Sequence, residues 1–154
     1  MPPHLAASQD VLEELYAALL ALLRDLGDAA LNWRPPLPET NSIAALVHHT
    51  VGATESWLSR ALDEPVDRDR DAEFRASATA AEAVALVERS RERVRAQFAR
   101  LAAVEPGTVR HVRRLDRAEA QPLTAAWCVE HALIHAGEHW GQIQLTRQLH
   151  AARR

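Results

Sequence analysis

Apolar positions recur along this chain at helical rather than strand spacing. Between about Ser8 and Leu26, the residues Val11, Leu12, Leu15, Leu19, Leu22, Leu23 and Leu26 predict one helix with a wide apolar stripe. Ser8 is a candidate cap, Asp10 suits the positive end of the helix dipole, and Gly27 is a candidate stop. The three prolines of LNWRPPLPET then exclude a helix interior. A second helix is predicted from about Asn41 to Leu62, with Leu46, Thr50, Trp57 and Ala61 facing inward. TAAE, Thr79 to Glu82, has the form of a capping box and opens a third helix. Val84, Leu86, Val87, Val94, Phe98 and Leu101 carry it to about Ala103. A fourth helix is predicted from Pro122 or Thr124 to about His150. DEPVDRDRD reads as an exposed charged loop, and EPGTVRHVRRLDRAEAQP as a long connection with at most a short ordered piece. No segment reads as a strand.

This order predicts an all-α fold, a four-helix bundle forming a single domain over residues 1–154. The connections are longer than a simple hairpin needs, so at least one is expected to cross the bundle or cover a site. The length of 154 residues and the 47% hydrophobic content are enough for a packed core. A net charge of -3 argues against general attraction to nucleic acid or an anionic membrane. All 18 basic residues are arginine, which removes Schiff-base lysines and phosphate-loop lysines from consideration. Cys128 is the single cysteine, so no internal disulfide is expected, and a reducing compartment fits. MPPHLAASQD lacks the pattern of a signal peptide, and LYAALLALL is too short to span a bilayer. A cytoplasmic protein is the expectation.

The chemistry concentrates in HALIHAGEHWGQIQL, where His131, His135 and His139 recur every fourth residue. On a helix such neighbours lie about 40° apart, with rings on adjacent turns, so two can share one ion. The outer two are about 12 Å apart along the axis, so two ligands are expected here and a third elsewhere. With Leu123 at zero, Trp127, Ile134, Gly141 and Leu145 form the expected core face, and the histidines a polar stripe beside it. LVHHTVGATESW on the second helix offers the third ligand. If Trp57 is buried, His49 borders the core and His48 points to water. Three neutral imidazoles leave positions open on a divalent ion for water or substrate. Zinc or nickel suits such a set, with iron or copper as alternatives. Glu-x-x-His motifs and HExxH are absent from the fourth helix.

At these residues the chain resembles the DinB-like (DinB/YfiT) family of metal-binding bundles. The likeness rests on Asn32–Thr50 (NWRPPLPETNSIAALVHHT), on His49–Trp57 (HTVGATESW), and on His135–Ile143 (HAGEHWGQI), similar to the family's H-x-x-x-H-x-G-Q. The resemblance implies a crossed four-helix bundle, often a homodimer, with one divalent metal on His49, His135 and His139. It also implies a small-molecule substrate and a low-molecular-weight thiol such as bacillithiol or mycothiol, used in S-transfer or isomerisation. A non-catalytic metal-binding or stress-response bundle is the alternative.

Other residues are secondary candidates. His131 is a further ligand or pocket residue. Glu138 and Glu55 are candidates to orient a ligand imidazole, and Gln142 to hydrogen-bond a metal-bound group. Gly137 and Gly141 would let another helix approach closely. Trp33, Trp57, Trp127 and Trp140 are expected in the core or an interface, and Cys128 as an inert buried thiol. RHVRRLDR, Arg110 to Arg117, reads as a solvated loop or an attractor for an anionic thiol.

Overall fold

The computed structural model describes residues 1–113 and 119–153. Four long helices carry the fold: α1 (Pro3–Arg24), α3 (Ile43–Ala61), α5 (Ala80–Leu101) and α6 (Ala125–Ala151). Two single-turn helices, α2 (Asp28–Asn32) and α4 (Arg70–Phe74), lie in the connections before and after α3. α1 packs on α5 and α6, and α3 packs on the same two, so α1 and α3 sit diagonally. That is the crossed arrangement expected: the connection from α1 to α3 and the one from α5 to α6 each span a diagonal.

Local chemistry sets the helix ends. Ser42 caps α3 by accepting from the Ala45 amide. The Thr79–Glu82 capping box forms as the sequence predicts, with both reciprocal bonds present. Ser8 is not a cap. α1 already begins at Pro3, where a missing N–H costs nothing, and Ser8 is buried inside it with its hydroxyl 3.1 Å from the His4 carbonyl.

The absence of strands is corrected. Val109–Val112 (β1) and Gln121–Thr124 (β2) pair antiparallel, with Val109 opposite Thr124 and Val112 opposite Gln121. Short, irregular alternation hid them; Val112 is the buried member of β1. Thr124 ends β2 and also caps α6, accepting from the Trp127 amide, so the hairpin runs into α6 without a linker. Of the basic patch, Arg110 donates to the Ala61 carbonyl and faces Asp63, while residues 114–117 lie outside those described.

The face of α6 is also corrected. Ile134 and Leu145, expected inside, are 60% and 55% exposed. Gly137 and Gly141 are exposed beside them with open space around their Cα atoms. The buried side holds Ala125, Cys128, Val129, Ala132, Ala136, Ile143 and Thr146, about half a turn away. Mostly small side chains point inward because α6 lies against α3, which brings Ala45, Thr50, Ala53 and Thr54 to its own buried side. Small residues on both helices allow close approach. The same rotation turns the histidine stripe into the α3–α6 seam.

Candidate metal centre

α3 and α6 bring His49, His135 and His139 together. One imidazole nitrogen from each lies within 4.8 Å of the other two, the only such His/Cys/Asp/Glu group among the described residues. His135 and His139 stand on successive turns of α6, and their Nε2 atoms are 3.3 Å apart. Two ligands on a tetrahedral ion with bonds of about 2.0–2.1 Å would be about 3.3–3.4 Å apart. His49 is 2% exposed and stacks on Phe74 of α4, with ring centroids 4.3 Å apart.

The partners of these rings select the tautomers a metal requires. His139 Nδ1 lies 2.9 Å from Gln142 Oε1, an acceptor, so Nδ1 carries the proton and Nε2 keeps its lone pair. His49 Nδ1 lies 3.0 Å from Glu73 Oε2 and also 3.0 Å from Arg68 Nη2. The Arg68 nitrogen has only two protons, and Glu73 Oε2 at 2.6 Å and the His49 carbonyl at 3.3 Å take them. His49 Nδ1 is therefore left to donate to Glu73, which frees its Nε2. A carboxylate behind a ligand imidazole is the common support of metal-bound histidine.

Glu73 and Arg68 were not singled out from the sequence; Arg68 belongs to the stretch DEPVDRDRD, read as exposed, and Glu73 follows just after it. Arg68 holds Glu73 through two bonds of 2.6 Å. Burial alone would raise the Glu73 pKa, but the bonds from His49 and Arg68 outweigh it and hold the carboxyl below its ordinary value. Gly52 makes room: a Cβ there would lie 2.3 Å from Glu73 Oε1. A glycine inside an otherwise regular helix, one turn after His49, was the available signal.

The other expected helpers lie elsewhere. Glu55 makes a two-pronged pair with Arg93 of α5. Glu138 is exposed, though its charge favours the protonated form of His139. His131 stacks on Trp127 with centroids 4.7 Å apart, meets the edge of Trp57, and stands 6.0 Å from His135. Cys128 is fully buried, and burial pushes its thiol pKa up against the nearby charges of Arg60 and Arg110. His48 is half-buried rather than open to water.

Without a metal, His135 and His139 resist protons. Burial, then the neighbouring His139, His49 and His131, press His135 down to about 3. Burial lowers His139 as well, against the Gln142 bond that supports its charge, and burial lowers His48. His135 Nδ1 is buried without a hydrogen-bond partner. In the unfolded chain these histidines titrate near about 6.5, so below that pH the unfolded state binds protons the folded state refuses. The contribution to stability is present above about 6.5 and is lost as pH falls towards 3. Calorimetry in chelator is expected to show the melting temperature falling from pH 7.5 to 5, and falling less in His135→Gln.

These features define a class: a crossed helical bundle whose α3–α6 seam holds three imidazoles suited to one cation. The chain belongs to the DinB superfamily, whose sequence profile matches residues 11–143. The fold is similar to the crystal structure of a conserved protein from Enterococcus faecalis, with a TM-score of 0.75 and 16% identity over 96% of this chain and 97% of that one. At that identity the likeness shows the fold alone. No curated protein matches the sequence. No described helix is long and apolar enough to cross a membrane.

Proposed function

We propose that this protein is a divalent-metal-dependent enzyme in which His49, His135 and His139 hold one ion, zinc or nickel before iron or copper. The observation that carries this reading is the convergence of three imidazole nitrogens within 4.8 Å beside a cavity of about 300 Å³ that His139 and Gln142 help to line. A purely structural ion would have no use for that opening. The ion, when bound, would lower the pKa of a thiol or a water to give a nucleophile near neutral pH. The chain's residues supply the frame. Glu73 fixes the His49 tautomer, Arg68 fixes Glu73, Gln142 orients His139, and Phe74 covers the His49 ring.

The reaction proposed is transfer of a low-molecular-weight thiol, of the bacillithiol or mycothiol kind, to a small electrophile. A homodimer in the cytoplasm is part of the same reading. The stripe of Ile134, Gly137, Gly141 and Leu145 on α6 offers a second copy an apolar, shallow face. Metal-loaded, untagged protein is expected to conjugate at least one thiol of a panel to a chromogenic electrophile, and His49→Ala to reduce the rate to background. Equal rates in the two proteins across the panel would leave only a metal-binding bundle.

A further inference from the structure

The cavity beside the histidines has a selective chemistry. Leu46, Phe74 and Leu145 give it apolar walls, while His139 and Gln142 join it to the cluster. Glu39 is the one carboxylate among its described lining residues. None of the chain's arginines lines it there. Arg70, on the neighbouring α4, is engaged over the Phe74 ring at 5.0 Å.

The backbone at Glu39, an exposed residue, is held by a tied turn. Its φ of 58° lies in the left-handed region, which a glutamate seldom adopts. The Thr40 hydroxyl sits 2.7 Å from the Pro35 carbonyl and 2.9 Å from that of Leu37, which closes the turn. Backbone in such a conformation persists where its surroundings impose it, and such positions cluster at ligand sites.

We infer that this cavity receives the body of the electrophilic partner rather than that of the transferred thiol, and that this partner is apolar with an amine-bearing, cationic end rather than one carrying carboxylates. A thiol held on the ion with a short aryl body serves as its stand-in. The inference rests on the metal-centre reading for the reacting end of the molecule; the cavity decides the remainder. A ligand carboxylate here would meet Glu39 with no arginine among the described lining residues to answer it, whereas an ammonium group would find a partner. Unfavourable pairing of this kind excludes a ligand as effectively as good contacts select one.

The test compares 4-(aminomethyl)benzenethiol with 4-mercaptobenzoate on cobalt(II)-loaded protein. Para placement prevents the second group from chelating the same ion, so both thiols differ only at the far end. Thiolate binding is read from the cobalt d–d bands, after correction for the two thiol pKa values. The amine is expected to bind at least tenfold more tightly, and Glu39→Gln to bring the two within about threefold. Equal or tighter binding of the carboxylate overturns the inference. A failure to form cobalt bands would instead defeat the metal reading. The same pair is then compared through amide shifts of Thr40, Asn41, Gln142 and Leu145 in metal-free protein, where loss of the preference overturns the cavity inference.

Discussion

His135→Ala is expected to weaken metal binding by about a hundredfold or more, turning a stoichiometric site into one that is empty after dialysis. His135 and His139 are the close pair, with nitrogens 3.3 Å apart, and His49 completes the set from α3. Removing His135 leaves one of the three clustered imidazoles on each helix. The metal-free fold should survive. His135 Nδ1 is buried without a partner, and the ring is pressed to a pKa of about 3, so its loss removes an unfavourable polar burial along with some packing. Elemental analysis of untagged protein measures the first effect and calorimetry in chelator the second. A variant that retains one ion per chain would remove His135 from the centre. A variant that fails to melt cooperatively would show a structural role instead.

The second large effect belongs to a residue that touches no metal. Gly52→Ala is expected to lower metal affinity by about 10–100-fold, the range seen when the support of a ligand histidine is lost. The new methyl would fall 2.3 Å from Glu73 Oε1 and 3.3 Å from Arg68 Nε, so the carboxylate must shift, and we expect the shift to break its bond to His49. Deprived of that acceptor, the His49 ring no longer has a fixed tautomer. Stability in the metal-free state should move the other way or hardly at all, since alanine favours a helix interior over glycine by about 1 kcal/mol. Isothermal titration with zinc and thermal melts in chelator, run on the same preparation, separate the two. Unchanged affinity would mean that Glu73 does not govern His49. A matching loss from Glu73→Gln is expected, because the amide can offer its own N–H to the ring and stabilise the wrong tautomer.

Much of this architecture was legible from residue spacing. The Thr79 capping box, the proline break after Trp33 and the periodicity of α5 are local signals, and local signals survive folding. The three histidines could be paired across α3 and α6 because a helix turns by a fixed angle. The inward face of α6 could not be read that way. Ile134, Leu145 and Leu149 point outward, and several alanines occupy the buried side because α3 comes close, a fact set by the partner helix rather than by α6. Arg68 and Glu73 were illegible for a related reason. Charged residues in a polar connection look solvated until the fold lays that connection across His49. The hairpin of β1 and β2 is too short for its alternation to stand out.

One feature of α6 bears on how an ion would be loaded into the proposed centre. His135 and His139 belong to one helix, a turn apart, and so form a two-toothed chelate as soon as that segment coils. An unfolded chain would therefore have some grip on metal before α3 packs against α6 and brings His49. Ion captured by unfolded protein subtracts from the stabilisation that the completed site confers. The benefit of loading, measured as a rise in melting temperature, will accordingly be smaller than the affinity of the finished centre alone would give.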